Sequence, residues 1–222
     1  MNDQAGGDMP AQPKPAAQVP VHRLQPDGLR AVFAVPPVWE PELLNDRILL
    51  KPREPAAAAV LIPLVMRQDG LHVLLTQRTT HLRDHAGQIS FPGGRCEEHD
   101  NGPVHTALRE TVEEIGLHER HIEVIGQLPV YTTATNFLVT PVVALVQTPF
   151  ELSPDSFEVA EVFEVPLSFL MDADKHLRNS FVTEHGERYF YAMPWRNGQG
   201  REYYIWGATA AMLRNLYRLL SA

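Results

Sequence analysis

Residues 109–117 read RETVEEIGL, and this stretch decides the fold of the chain. It closes a longer segment, 103–116, whose composition predicts a helix. Pro103 suits a first helical turn because its missing N–H is not needed there, and Gly116 suits a C-terminal stop. The helix predicted over 103–116 is the clearest element of the sequence.

This predicted helix is amphipathic. Its apolar positions are Leu108, Val112 and Ile115, and its acidic positions on the other side are Glu110, Glu113 and Glu114. Glu110 and Glu114 lie one turn apart, about 6 Å along the axis, so their charges repel unless a cation lies between them. A divalent cation would also offset the unfavourable helix dipole, and oxygen-only ligands suit Mg²⁺. The alternative is a solvated acidic face on which Arg109 pairs with Glu113.

The preceding loop adds fixed positions to this helix. Residues 91–94 read FPGG, Asp100 follows Gly94 by six residues, and eight residues separate it from Arg109. Together with the helix they resemble the Nudix box, G-x5-E-x7-R-E-U-x-E-E-x-G-U, in which U is aliphatic. The chain departs from that pattern by Asp100 in place of Glu, by an interval one residue longer, and by Thr111 at an aliphatic position.

A second signature lies just upstream. Residues 74–94 read LLTQRTTHLRDHAGQISFPGG. They resemble the extra motif of the coenzyme A pyrophosphatase branch of the Nudix family, L-L-T-x-R-[SA]-x3-R-x3-G-x3-F-P-G-G, and only Thr79 departs from it. The two motifs cover residues 74–117, and a Trp-Gly pair at 206–207 before the last predicted helix is a weaker similarity to the same branch.

The resemblance implies a fold and a reaction. The fold is the Nudix-type α/β/α sandwich with a mixed sheet, an α/β class. The reaction is hydrolysis of the diphosphate of coenzyme A or acyl-coenzyme A, to adenosine 3′,5′-bisphosphate and 4′-phosphopantetheine or its acyl form. The substrate is thus a small molecule, the cofactor is Mg²⁺ or Mn²⁺, and the family also allows a homodimer.

The resemblance also implies roles for individual residues. Glu110 and Glu114 bind the metal directly, and Glu113 binds it directly or through water. Arg109 orients these carboxylates. Gly93 and Gly94 bind the substrate, and a carbonyl oxygen of one of them completes the coordination of the metal.

Two further roles, phosphate binding and the general base, have more than one candidate residue. Arg78 and Arg83 are expected to hold substrate phosphates, because guanidinium groups make bidentate contacts with them. The general base is Glu110 or an acidic residue outside the box, and Glu158 and Glu161 are the nearest candidates in the sequence.

The rest of the chain predicts alternating strands and helices, as an α/β domain requires. Strands are predicted at 57–65, 71–78, 122–131, 137–146, 159–165, 189–193 and 202–206, and helices at 166–171 and 208–220. Residues 79–102 are predicted to form a long functional loop. Residues 1–22, rich in Pro and Ala, are predicted to be a flexible tail before a domain spanning 23–222.

Composition excludes several function classes. The 222 residues contain 27 acidic and 19 basic residues, a net charge of −8, which argues against binding a nucleic-acid backbone. The longest apolar run, 56–66, is far shorter than the roughly 20 residues of a membrane span. Asp3 and Asp8 lie where a secretory signal would carry basic residues. The single cysteine, Cys96, allows no intrachain disulfide. We therefore expect a cytoplasmic protein that binds neither membrane nor nucleic acid.

Three functions are consistent with these residues. The first is a coenzyme A diphosphatase. The second is a Nudix hydrolase of another nucleoside diphosphate derivative, such as a dinucleotide or a sugar nucleotide. The third is a Nudix module that senses a nucleotide without cleaving it, against which the complete set of three glutamates argues.

Overall fold

The computed structural model describes residues 17–42, 54–81, 86–133, 135–183 and 186–222. The strands in these ranges are β1 (Ala56–Arg67), β2 (Gly70–Arg78), β3 (Ile89–Ser90), β4 (Gly93–Arg95), β5 (Ile122–Gln127), β6 (Tyr131–Thr132), β7 (Phe137–Val146), β8 (Val159–Pro166), β9 (Leu177–Thr183), β10 (Gly186–Arg196) and β11 (Glu202–Trp206). The α-helices are α1 (Pro26–Ala34), α2 (Pro103–Ile115), α3 (Leu167–Leu170) and α4 (Gly207–Ser221).

The larger sheet is mixed, as predicted. Its main path runs β3-β2-β1-β7-β5, while β4 pairs with β1, β6 with β7 and β8 with β2. The β1–β7 pair is parallel and the others are antiparallel. Parallel neighbours need a long crossover, and helix α2 lies in the chain between β1 and β7.

Helices cover both faces of this sheet because its central strands are apolar on both sides. Along β1, Ile62 and Leu64 join the core cluster that contains Leu213 of α4. The alternate residues Ala59 and Leu61 pack in a second cluster with Ala107 of α2. Successive side chains of a strand point to opposite faces, so β1 is buried between two helical layers. The predicted α/β/α sandwich is therefore confirmed.

A smaller antiparallel sheet, ordered β9-β10-β11, completes the fold. Met193 and Ile205 are fully buried in the main core, whereas Tyr204 and Trp206 on the opposite face of β11 remain exposed. The sheet therefore has one core face and one open face. We call the open face the outer face.

The predicted elements differ from the observed ones in three places. The strand predicted over 122–131 is two strands, β5 and β6, and Pro129 between them has no N–H to donate to a sheet. The loop predicted over 79–102 contains β3 and β4, and β4 pairs with the middle of β1. Helix α1 and strand β9 were not predicted. Helix α1 carries Leu29 and Val32 at helical spacing but is only 9 residues long and begins in a Pro-rich stretch, and β9 shows no regular alternation of apolar residues.

The predicted tail, residues 1–22, overlaps the described chain at residues 17–22. There the hydroxyl of Tyr217 donates a hydrogen bond to the carbonyl of Ala17, and Val19 packs against the main core. Residues 17–22 therefore contact the folded domain, and the boundary predicted after residue 22 stays a prediction. Residues 1–16 lie outside the described part of the chain. No helix in the described ranges is long and apolar enough to cross a membrane.

Candidate active site

Helix α2 holds its glutamates in three different environments. Its first turn starts with Pro103, and Gly116 ends it in the left-handed conformation at φ 69°, as the sequence predicts. The Glu114 side chain is only 7% exposed and that of Glu110 17%, whereas that of Glu113 is 58% exposed. The three glutamates of the predicted acidic face therefore differ in burial. Glu110 and Glu114 point into the protein, and Glu113 points to solvent.

The Gly-Gly turn of residues 93–94 lies directly against these two buried carboxylates. The backbone N–H of Gly93 donates a long hydrogen bond, 3.4 Å, to Oε2 of Glu114. A Cβ at Gly94 would lie 2.5 Å from the Glu110 carboxyl group, so no residue with a side chain fits there without displacing it. Pairing of Gly94 with Ala59 in β1 fixes this close approach.

Glu114 is a buried acid with little compensation. Burial raises its pKa to about 8, and the nearby charges of Glu110 and Glu158 act in the same direction. Arg78 and the N–H of Gly93 oppose the rise only in part. A carboxyl group in this setting ionises readily only when positive charge is added next to it.

At the other side of the site, Arg109 donates four hydrogen bonds to three carboxylates. Its guanidinium donates twice to Asp100, at 2.9 and 3.0 Å, and also donates to Glu110 at 3.0 Å and to Glu113 at 2.9 Å. Burial raises the pKa of Glu110, and Arg109 opposes that rise. The pairing of Arg109 with Glu113 is the surface contact that the sequence offered as an alternative, and it coexists with the inward-facing pair.

Asp100 belongs to the support of this site. Its side chain is 1% exposed and also accepts hydrogen bonds from the hydroxyl of Thr106 at 2.9 Å and the N–H of Glu97 at 2.9 Å, while Nδ1 of His105 lies 2.8 Å away. With its oxygens used in this way, Asp100 holds Arg109 and the start of α2.

Arg78 reaches the same carboxylates from strand β2. The pairing of β2 with β8 shifts register between Gln77 and Arg78, and such a bulge re-aims the side chain that follows it. Nη1 of Arg78 lies 4.0 Å from Oε1 of Glu114. Its buried Nε has no hydrogen-bond partner within the ranges that the structure describes. Arg83, the second predicted phosphate ligand, lies outside the described residues.

The two candidate bases beyond the box have different surroundings. Glu158 is half-buried, and its charge acts on both Glu110 and Glu114. Glu161 instead accepts a hydrogen bond from Tyr203 at 2.8 Å and pairs with Arg201 at 2.5 Å. The structure thus brings Glu158 to the carboxylates of α2 and leaves Glu161 in a separate surface cluster.

The donor atoms of the site suit a hard divalent cation. In the described part of the chain no three His, Cys, Asp or Glu side chains already converge as a closed metal site. Glu110 and Glu114 nevertheless offer inward-facing carboxylate oxygens, and Arg78 compensates the burial of Glu114 only in part. Oxygen ligands of this kind fit Mg²⁺ or Mn²⁺, so the residues are compatible with such an ion.

A cleft of about 470 Å³ opens beside the carboxylates. One wall contains Arg78 and the turn at 93–94, and the other contains Phe190 and Trp206 from the outer face of the smaller sheet. The sequence did not predict this second wall, because β9 was missed and the aromatic residues 189–191 were interpreted as core or sheet residues. The site therefore joins a carboxylate centre to an adjacent binding cleft.

Comparisons with known proteins agree with this geometry. Residues 55–186 match the family model described as NUDIX domain. The chain is 39% identical over 178 residues to a Nudix hydrolase named NudL and described as uncharacterized, from Shigella flexneri serotype 5b, with 79% of this chain and 88% of that protein covered. It is 38% identical over 178 residues to the NudL protein of Escherichia coli K12, with the same coverage.

Solved structures include a similar chain, the Nudix hydrolase RenU from M. smegmatis. It is 24% identical with a TM-score of 0.46, over 55% of this chain and 76% of that one. Nudix hydrolases generally use divalent metal ions, typically Mg²⁺ or Mn²⁺. This chain belongs to the Nudix family, and it is a Nudix hydrolase of a nucleoside diphosphate derivative.

Proposed function

We propose that this hydrolase cleaves the diphosphate of coenzyme A or acyl-coenzyme A. The products are adenosine 3′,5′-bisphosphate and 4′-phosphopantetheine or its acyl form. The observation that carries the proposal is the position of residues 74–81 and 86–94, the described parts of the segment that resembles the coenzyme A pyrophosphatase motif. Its first part places Arg78 at 4.0 Å from Glu114, and its last part lays Gly94 against Glu110. The motif therefore borders the reacting centre at both ends.

The chain's own residues divide the work of such a cleavage. Glu110 and Glu114 would hold a divalent cation, with Glu113 as a further ligand directly or through water. The ion would supply positive charge that neutralises diphosphate oxygens. Arg109 keeps Glu110 in place through its own anchorage to Asp100. Arg78 pairs with a phosphate oxygen, as guanidinium groups do.

The attacking water needs a group that accepts its proton. Of the candidates, we propose Glu158, because its carboxylate charge acts on both Glu110 and Glu114 while Glu161 is engaged by Tyr203 and Arg201. A base must lie within reach of the water that it activates. Glu110, bonded to Arg109, is the second candidate for the same role.

We also propose that the reaction takes place in the cytoplasm and that the protein can form a homodimer.

The proposal is tested with a substrate panel. Purified protein is incubated with Mg²⁺ or Mn²⁺ and coenzyme A, acyl-coenzyme A, ADP-ribose or NADH, and the products are identified by mass. Glu114→Gln serves as the matched control for contaminating activity. Preferred formation of adenosine 3′,5′-bisphosphate supports the proposal. Preference for ADP-ribose or NADH would assign another nucleoside diphosphate substrate, and cleavage of none of the four compounds would refute the proposal.

A further inference from the structure

The outer face of the smaller sheet presents a wall of aromatic rings to the cleft. Phe181, Phe190 and Trp206 line it, with ring centroids 6.0 Å apart for the first two and 5.8 Å for the last two. Phe181 remains 45% exposed and Trp206 42%. Exposed aromatic groups that share a concave surface are typical of ligand sites, because flat ligands stack on them. We call these three residues the aromatic wall.

Positive charge accompanies these rings. Among the described residues, three arginines line the cleft and no Asp or Glu does, although the chain has a net charge of −8. Arg78 lies at the carboxylate side, beside Glu114. Arg188 lies directly opposite Phe181 in the β9–β10 pairing and two residues before Phe190, so it shares the face of the aromatic wall. The cleft is therefore suited to an anion that also carries a flat ring.

Coenzyme A offers two different halves on either side of its diphosphate. The pantetheine arm is flexible and uncharged. The adenosine half carries a flat aromatic base and, on its ribose, a 3′-phosphate with about two negative charges. Only the adenosine half has both a ring that can stack on aromatic side chains and an anion that a guanidinium group binds bidentately.

We propose that the aromatic wall and Arg188 bind the adenosine 3′-phosphate half of the substrate. The base stacks on the rings of Phe190 and Trp206, and Arg188 contacts the 3′-phosphate. Arg78, next to Glu114, is then left for the diphosphate itself. This inference rests on the proposed function, because it takes coenzyme A as the substrate, and it assigns the discrimination of that substrate to the smaller sheet.

Kinetics with paired substrates test the phosphate contact. We expect Arg188→Gln to lower kcat/KM for coenzyme A about ten- to a hundredfold, the value of one charge-assisted contact. For 3′-dephospho-coenzyme A the loss should stay within about twofold. Arg178→Gln is the matched control, because Arg178 lies on the opposite face of the same sheet, over the ring of Tyr189 at 4.0 Å. Equal losses of Arg188→Gln on both substrates would overturn the inference.

Equilibrium binding separates this inference from the proposed function. Calorimetric titration with adenosine 3′,5′-bisphosphate and with 5′-AMP requires no turnover. Wild type should bind the bisphosphate more tightly, and Arg188→Gln should remove that preference while Trp206→Leu weakens both ligands. A protein that cleaves ADP-ribose but not coenzyme A would refute the proposed function. Unchanged bisphosphate binding by Arg188→Gln would refute the inference, whatever the enzyme cleaves.

Discussion

Arg109 donates two hydrogen bonds to Asp100, from Nε to Oδ1 at 3.0 Å and from Nη2 to Oδ2 at 2.9 Å. The remaining nitrogen, Nη1, donates to Glu110 at 3.0 Å. A loop residue thus positions a helix carboxylate through one rigid guanidinium. Asp100, which stands where the Nudix box has Glu, is therefore bound to Arg109 through both of its carboxylate oxygens.

The first prediction concerns the charge of Asp100. The hydrogen bonds from Arg109 hold the pKa of Asp100 far below its usual value of 3.8. An acid with a lowered folded-state pKa stabilises the fold fully above its unfolded pKa, and this contribution is lost as the pH falls through the folded value. Asp100→Asn should therefore lower Tm by several degrees at pH 7, and the gap to wild type should narrow below about pH 4.

Thermal unfolding between pH 2.5 and pH 8 checks this prediction. Asp174→Asn, at an exposed aspartate, is the control and should follow wild type. A Tm gap between wild type and Asp100→Asn that is the same at every pH would mean that Asp100 acts by shape and not by charge.

The second prediction concerns Glu114. Glu114→Gln keeps the size of the side chain and removes the charge of the buried carboxylate beside Gly93. Turnover should fall by about two orders of magnitude or more at saturating Mg²⁺, with an unchanged circular dichroism spectrum. Glu151→Gln, at an exposed glutamate outside the site, should retain full activity. Near-wild-type turnover of Glu114→Gln would remove this residue from the metal site.

The third prediction separates Arg78 from the specificity of the enzyme. The sequence left open whether Arg78 or Arg83 recognises a phosphate peculiar to coenzyme A. Because Nη1 of Arg78 lies 4.0 Å from Glu114, we expect it to act on the shared diphosphate. Arg78→Ala should lower kcat/KM about ten- to a hundredfold for coenzyme A, 3′-dephospho-coenzyme A and ADP-ribose alike. A loss confined to coenzyme A would instead give Arg78 the 3′-phosphate.

The part of the candidate site that residues 91–117 form could be predicted from the sequence because it is local. Residues 91–117 are consecutive in the chain, and helical periodicity alone separates Ile115 from Glu110. It could not show that Glu114 is buried while Glu113 is exposed, since that difference depends on the close approach of Gly93 from another element. The spacing pairs Glu114 with Glu110 but predicts no degree of burial for either side chain.

The second wall of the cleft could not be predicted from the sequence, for a different reason. Phe181 belongs to β9. The sequence of this strand, LRNSFVT, shows no regular alternation of apolar and polar residues. Its pairing with β10 is what places Phe181 opposite Arg188. Contacts between strands depend on register, which a single sequence specifies only when one face is regularly apolar.

The fourth prediction concerns the N-terminal boundary. Deleting residues 1–16 should change Tm little, because that segment has almost no large apolar residues to bury. Deleting residues 1–22 should lower Tm, because it removes Val19 from the core and the carbonyl of Ala17 from Tyr217. Comparison of the two truncations by differential scanning calorimetry checks the boundary. Equal Tm values would place the start of the domain after residue 22.

The last prediction links Glu114, pH and metal without using activity. Burial raises the pKa of Glu114 from 4.5 to about 8, so the folded state binds a proton that the unfolded state has released between these values. The stability contributed by this proton is present below the unfolded pKa and is lost as the pH rises through the folded one. Metal-free wild type should therefore lose stability relative to Glu114→Gln between pH 5 and about pH 9.

A divalent cation should reverse this loss, because it supplies the charge that the buried carboxylate lacks. At pH 8, Mg²⁺ at about 100 times its Kd should stabilise wild type by about 2.7 kcal/mol, since the ion binds the folded state alone. Glu114→Gln should show little of this gain and should already be the more stable protein without metal. Thermal unfolding of both proteins with and without Mg²⁺, from pH 5 to pH 9, measures both effects. An equal Mg²⁺ response in the two proteins would place the cation away from Glu114 and leave its burial without a functional reason.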